Sequence, residues 1–319
     1  MSNKRVAAVV VTYNRKELFQ ECINSILEQK YECESIIAVD NKSNDGTNRI
    51  IIDLMETYPK ISGVFLDKNT GGAGGFYAGM IEAIKGDFDY IWIMDDDTIP
   101  TNNCLEKLIE AANVLNNDFS YLASSVIGLQ NEPMNVPQLL MGEKSNGYSD
   151  VIRFLGDGLM EIGEATFVSL LIKTDAVKKV GLPWPDFFLW GDDSEYTYRL
   201  THYYGKAYVV GSSIAIHKRA VSTGLSIFEE PNPNRIDLYY YFYRNSLIRT
   251  WAYGGMKSFI KRLGRSNIDA WKCIFKHGCR ERIKKFSVIY KAIFDFLFGR
   301  YDKHSFDNRF HVVNGGLNK

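Results

Sequence analysis

Apolar and polar positions alternate in blocks along the N-terminal part of the chain. Val6–Val11 is an unbroken apolar run of strand length, too short for an independent helix. Lys16–Gln29 follows with Leu18, Cys22, Ser25, Ile26 and Gln29 at helical spacing. Ser35–Val39 is again strand-like, and Asp45-Gly46-Thr47 opens a second helical stretch reaching Tyr58. Ile61–Leu66 reads as a third strand, Phe76–Lys85 as a third helix and Tyr90–Met94 as a fourth strand. Strands alternating with helices predict a parallel sheet covered on both faces. Ligands of such sheets bind beyond the carboxyl ends of the strands. That rule gathers Thr12-Tyr13-Asn14, Asp40-Asn41, Asn69-Thr70-Gly71 and Asp95-Asp96-Asp97 into one expected site.

Further along, the pattern loosens towards an α+β arrangement. Tyr121–Ile127, Val151–Leu155 and Phe167–Ile172 are strand candidates, and Gln130–Ser149, with its Pro, Asn and Gly, reads as a long loop over the site. Asp193–Tyr204 is helical and Lys206–His217 strand-like; from Ile236 onward helices dominate. The division expected is a sheet-bearing domain over 1–234 and a helical region over 235–319.

Composition, at 45% hydrophobic and 24% charged, is that of a globular protein. A net charge of zero conceals an asymmetry: residues 235–319 hold 18 Lys and Arg against 6 Asp and Glu, leaving the first 234 residues correspondingly acidic. A basic, aromatic-rich tail points to an anionic partner. Tyr239–Arg244 and Phe286–Phe298, with Lys284, Lys285 and Lys291, mix aromatics and bases as interfacial helices do. Ordinary packed helices with solvated bases are the alternative. No nucleic-acid-binding motif accompanies the charge, so contact with a membrane is expected rather than with nucleic acid. The N-terminal residues lack a secretory pattern, and no apolar run reaches the ~18 residues of a spanning helix. Five cysteines without a CxxC pair fit a reducing cytoplasm, and Cys273, His277 and Cys279 match no zinc spacing.

Asp95-Asp96-Asp97 is the strongest local chemical signal. Along an extended strand, Asp95 and Asp97 would share a face and Asp96 point away. Convergent carboxylates repel unless a divalent cation, Mg²⁺ or Mn²⁺, relieves them; capping of the next helix is the competing reading. Asn69–Phe76 is a glycine-rich strand-to-helix segment that admits close backbone approach to a phosphate, or else only tight helix–strand packing. It lacks the Lys of a P-loop, and Tyr77 replaces the third glycine of a dinucleotide pattern. Asp40 could accept the imide N–H of a pyrimidine base, whereas Asp45, before Gly-Thr at a helix start, reads as a cap. Trp190-Gly191-Asp192-Asp193-Ser194-Glu195 follows an aromatic segment, Pro185–Trp190, able to stack on a sugar. Its carboxylates could cap a helix or supply a general base. His217 ends a strand and becomes a ligand candidate only if the fold carries it to Asp97.

Taken in order, Val9–Arg15, Val39-Asp40-Asn41 and Asp95–Asp97 resemble the GT-A glycosyltransferases of family 2, from about Val6 to His217. Asn69–Phe76, Ile91–Asp97, Trp190–Tyr196 and His217 together look like the bacterial galactofuranosyltransferases within that group. The resemblance implies an α/β GT-A nucleotide-sugar-binding fold, with a mostly parallel central sheet flanked by helices and a helical C-terminal extension. It implies a nucleotide wall of Thr12, Tyr13, Asn14, Asp40, Asn69, Gly71, Gly72, Asp95 and Asp96. A Mn²⁺ or Mg²⁺ ion would sit on Asp97 and His217, with Asp95 nearby. Asp193 would be the general base and Asp192 would orient a sugar, with Trp190, Phe188 and Glu195 lining the donor or acceptor sugar. The implied partners are a UDP-sugar donor and a lipid-linked glycan acceptor at the cytoplasmic face of the membrane, with an oligomer compatible. Related rhamnosyltransferases share much of the pattern, which makes a dTDP-rhamnose donor the alternative. The long polymerising members carry extra domains, for which there is no room before Val6. A non-catalytic sugar-binding module is disfavoured because it needs no base, and nucleotidyl transfer because no basic triphosphate loop is present.

Overall fold

The computed structural model describes residues 4–142, 144–145, 148–219 and 226–301. In chain order the first elements are β1 (Val6–Thr12), α1 (Lys16–Leu27), β2 (Ser35–Asp40), α2 (Thr47–Thr57), β3 (Ile61–Phe65), α3 (Gly71–Lys85) and β4 (Tyr90–Asp95). Then come β5 (Thr98–Pro100), α4 (Cys104–Val114), β6 (Tyr121–Ile127), β7 (Lys144–Ser145), β8 (Tyr148–Ser149), β9 (Leu159–Ile162) and β10 (Leu170–Lys173). The chain continues through α5 (Thr174–Val180), α6 (Asp192–Tyr203), β11 (Ala207–His217), α7 (Pro233–Tyr253), α8 (Gly255–Phe275) and α9 (Arg282–Leu297).

Among the described residues the main sheet runs β3-β2-β1-β4-β10-β6-β11-β5, with β9 also paired to β11. Its first four strands are parallel, as the alternating pattern requires. Beyond β4 the sheet is mixed rather than mostly parallel: β10 is antiparallel to both β4 and β6, while β6 and β11 are parallel. Every residue of β1 is buried because helices cover both faces. Ala8, Val10, Trp92 and Met94 face α1 and α4 on one side, and Ala7, Val9, Ile91 and Ile93 face α3, α5 and α6 on the other.

Two expectations change here. Val151–Leu155 is not a strand; it lies in two 3₁₀ turns, Asp150–Ile152 and Leu155–Asp157. The third helix begins at Gly71, so the glycines form its first turns instead of a loop. Their small size serves close approach: a Cβ on Gly75 would lie 2.3 Å from a Val11 methyl and one on Gly79 2.4 Å from a Val9 methyl. Packing therefore accounts for those two glycines, and only Gly72 of this run faces open space.

The helices α7, α8 and α9 share an apolar cluster with Ala73 of α3 and with Trp184 and Phe187. Tyr239 and Tyr243 are buried in it, so this part of the tail is core rather than an interfacial face.

Candidate active site

The sheet brings three of the expected clusters to one edge. Thr12 is in register with Asp40, and Val11 with Asp95. The Tyr13–Asn14 turn is fastened to the loop after β2: Ser43 Oγ accepts from Asn14 N at 2.9 Å, and Asn14 Oδ1 accepts from Asn44 N at 2.7 Å. Asp40 is buried and one of its oxygens accepts from Ser43 N at 2.9 Å. Asp45 holds the start of α2 by accepting from Thr47 N and Oγ1, a structural role. The Asn69 side chain accepts from Gly71 N at 2.8 Å. Asn41 completes the turn into α3, accepting from Thr70 N and donating to Gly71 O, both at 2.8 Å.

The acidic triplet departs from simple alternation. β4 ends at Asp95 and the chain turns through Asp96 and Asp97 into β5. The turn sends Asp96 and Asp97 to the same partner: Arg15 Nη1 lies 3.2 Å from Asp96 Oδ1 and 2.6 Å from Asp97 Oδ2. Asp96 also accepts from Thr12 Oγ1 at 2.8 Å and is buried. Burial pushes its carboxyl up to about 6 against the opposing pull of Arg15. Asp95 is raised well above the ordinary carboxylate range by burial and then by the charges of Asp97, Asp96 and Asp192.

β5 pairs with the end of β11, His217 opposite Thr98, and this pairing carries His217 to Asp97. His217 Nε2 lies 3.1 Å from Asp97 Oδ1, and its Nδ1 lies 2.7 Å from Asn135 Oδ1. Burial would raise Asp97, but His217 and Arg15 outweigh it and hold the carboxyl below its usual value.

Among the described residues no three His, Cys, Asp or Glu form a ready-made cage. The donor chemistry nonetheless suits a divalent ion, with His217 Nε2 and Asp97 Oδ1 3.1 Å apart. Imidazole nitrogen and carboxylate oxygen are both ligands that Mn²⁺ or Mg²⁺ accepts, and Asn135 fixes the ring through its contact with Nδ1. Burial first, and neighbouring carboxylates after it, raise Asp95 and Asp192.

Asp192 and Asp193 begin α6, after Gly191 in the left-handed region (φ 96°). Burial, with the charge of Asp193 added, pushes Asp192 up to about 8. Asp193 is raised by burial, while the Ser194 N–H and the charge of Arg249 draw it back. It borders a cavity of about 220 Å³ lined also by Asn135, Glu164, Thr166 and Ser194. Asn135 thus stands between His217 and the Asp193 cavity, contributed by the loop predicted to cover the site.

Phe188 and Trp190 are half-buried, and both adopt positive φ, 59° and 60°. Phe188 stacks on Tyr241 with centroids 4.6 Å apart, and Trp190 meets Tyr239 at 5.0 Å. Glu195 does not face the cleft. It is 2% exposed, pairs with Arg199 at 2.6 Å and accepts from Tyr253 Oη at 2.7 Å, because its place on α6 turns it towards the core.

The sequence reading assigned no role to Arg15, Asn135 or Asn245. The amide of Asn245, on α7, donates to the carbonyls of Phe187 (2.8 Å), Leu189 (3.2 Å) and Trp190 (2.8 Å). Only Arg15 carried a signal, as the sole cation of the Thr12–Arg15 segment.

Comparison with known proteins agrees with this fold. The model of Glycosyl transferase family 2 matches residues 7–170. Galactofuranosyltransferase GlfT1 of Mycolicibacterium smegmatis is 29% identical over 203 residues, 61% of this chain and 65% of its own length. Glycosyltransferase AglE of Haloferax volcanii is 24% identical over 199 residues, 61% of either chain. The aligned part therefore spans less than two thirds of these relatives. The crystal structure of S. aureus TarS 1–349 superposes with a TM-score of 0.55 at 15% identity, over 98% of this chain and 91% of that one, a likeness of fold.

Proposed function

The chain belongs to glycosyl transferase family 2, and from that premise we propose that it is an inverting, metal-dependent galactofuranosyltransferase. Galactofuranose would pass from UDP-galactofuranose to a hydroxyl of a lipid-linked cell-surface glycan, with the protein resting on the cytoplasmic face of the membrane. The observation that carries this reading is the meeting of Asp97 and His217 (3.1 Å) at the same strand ends as Thr12, Asp40 and Asp95. The similarity to a protein named galactofuranosyltransferase supports the donor.

In this reading the uracil lies by Asp40, and the diphosphate lies over the Tyr13–Asn14 turn and the open face of Gly72. Asp97 and His217 would hold Mn²⁺ or Mg²⁺, which supplies positive charge to the leaving diphosphate. Asp193, facing the cavity beside Asn135 and Thr166, takes the proton of the acceptor hydroxyl as that oxygen bonds to the anomeric carbon. The bond from that carbon to the diphosphate breaks with inversion, and UDP leaves with the electron pair. Asp192 and the Phe188–Trp190 segment orient the sugar. Glu195 is left out of this assignment, since Arg199 and Tyr253 occupy its carboxylate.

The test is release of UDP from UDP-galactofuranose and UDP-galactopyranose, and of dTDP from dTDP-rhamnose, with and without Mn²⁺ and a lipid-linked glycan acceptor. Metal-dependent turnover of the furanose donor alone is expected. Turnover of dTDP-rhamnose instead would replace the donor, and unchanged turnover in chelator would remove the metal.

A further inference from the structure

The helices α8 and α9 each carry two apolar faces, although the fold uses only one. Phe259, Ala270 and Cys273 of α8, with Ile289, Ala292 and Ile293 of α9, are buried in the C-terminal cluster. On the outer side of α8, Met256, Ile260, Gly264, Ile268, Trp271 and Phe275 follow one another at steps of three or four, and all are exposed. Three- and four-residue steps place them on one stripe. α9 exposes Ile283 (78%) and Phe294 (49%), with Leu297 at its end and Phe298 just beyond.

The two stripes form one surface. A chain of rings joins them: Phe275 to Trp271 at 6.0 Å, Trp271 to Phe286 at 5.2 Å and Phe286 to Tyr290 at 4.6 Å, then Tyr290 to Phe294 at 5.9 Å and Phe294 to Phe298 at 6.2 Å. Both ends of this chain are open to solvent, Phe275 at 76% and Phe298 at 69%. A contiguous exposed apolar surface of this kind marks an interaction site.

Charge selects the partner. Residues 255–300 contain 12 Lys and Arg but 3 Asp and Glu. Lys257, Lys261, Arg265 and Lys272 are exposed along one edge of the α8 stripe, and no carboxylate among the described residues is in salt-bridge range of them. Two of the three acids are engaged inward, Asp269 by Tyr243 and Asp295 by Tyr240. A second copy of the chain would set this positive edge against itself. An anionic bilayer would meet the bases with its headgroups and the rings with its acyl boundary. No helix among the described residues is long and apolar enough to cross a membrane, so the helices would lie on it.

We propose that the outer face of α8 and α9, centred on the Phe275–Trp271–Phe286 rings, is the surface by which this protein docks on anionic phospholipid. The proposal deepens the membrane contact in the functional reading and replaces the Tyr239–Arg244 segment as its source. The experiment is flotation of the full chain with vesicles of phosphatidylcholine alone or mixed with phosphatidylglycerol, at low and high salt, with UDP release in the presence of a soluble acceptor measured in parallel. Binding is expected to the anionic vesicles and to weaken with salt. Trp271→Glu with Phe275→Glu should lower partitioning by roughly tenfold or more. Lys257→Glu with Lys261→Glu should abolish the preference for anionic lipid while leaving the rings intact. Both variants should retain turnover with the soluble acceptor. A wild-type chain that stays unbound at low salt, or variants that float like it, would overturn the proposal. So would concentration-dependent dimerisation lost in Trp271→Glu without vesicle binding, which would assign the face to a second copy. Lost turnover with retained flotation would instead strike at the transferase reading alone.

Discussion

Arg15 Nη1 lies 2.6 Å from Asp97 Oδ2, the oxygen that His217 leaves free. The guanidinium therefore stands where a metal held by Asp97 and His217 would need charge of its own. Arg15 is half exposed, so solvent screens the pair and its worth is small. Arg15→Gln should raise Mn²⁺ affinity by roughly two- to fivefold, because a competing cation is gone. Calorimetric titration with Mn²⁺ measures this; weaker binding in the variant would mean that Arg15 supports the metal rather than competes with it.

The base assignment fixes the direction of the pH dependence. Burial raises Asp193 above the usual carboxylate range. A base works deprotonated, so turnover should fall as pH drops through that raised value, earlier than for an exposed Asp. Arg249 pulls Asp193 down, and Arg249→Gln should shift the acidic limb to higher pH. Asp193→Asn should lower kcat by roughly 10²–10⁴ while UDP binding survives. A limb unmoved in Arg249→Gln, or substantial turnover in Asp193→Asn, would place the base elsewhere.

The parts of the molecule readable from sequence are those governed by local periodicity. Val6–Val11 and Tyr90–Met94 could only be buried strands, and the strand ends followed from them. Asp97 and His217 are separated by 120 positions, and no local pattern could join them; before the β5–β11 register, only the family resemblance paired them. The triplet misled because alternation holds only while a strand continues, and β4 stops at Asp95. Glycine at 71–75 suggested a loop by propensity, but tertiary contact with Val11 overrides propensity and starts the helix there. Asn135 and Asn245 act through single amides placed by distant chain, a kind of contact that leaves no periodic trace.

Two adjacent glycines separate packing from binding. Gly71 has φ 70°, and a Cβ there would lie 1.9 Å from the Phe188 carbonyl oxygen. Gly71→Ala should cost at least ~2 kcal/mol, from left-handed strain and displacement of the Phe188 backbone. Gly72 has nothing within 4 Å of its would-be Cβ. Gly72→Ala should leave the unfolding midpoint within a degree or two, since nothing is displaced and a helical φ suits Ala. Its UDP affinity should nevertheless fall, as a methyl would stand between the backbone and the diphosphate. Unchanged UDP affinity in Gly72→Ala would remove that residue from the nucleotide wall.

The last prediction concerns how a C-terminal helix governs the site. Phe188, Trp190 and Gly191 all lie in the left-handed region, a conformation costly for the two aromatic residues. Asn245 opposes that cost with three hydrogen bonds to carbonyls of the segment, and Arg244 orients it by donating to Asn245 Oδ1 at 2.9 Å. Removing the amide strands buried acceptors, so Asn245→Ala should destabilise by about 1–3 kcal/mol. It should lower kcat more than it raises KM for the donor, because the loop that orders Asp192 and Asp193 loosens while Asp40 and the β1 turn are untouched. Asn245→Asp should be worse than Ala, since it turns a carboxylate onto three carbonyl oxygens with no proton to donate. Thermal melts and steady-state kinetics on the two variants decide the matter. If Asp is tolerated better than Ala, the amide is not what holds the segment.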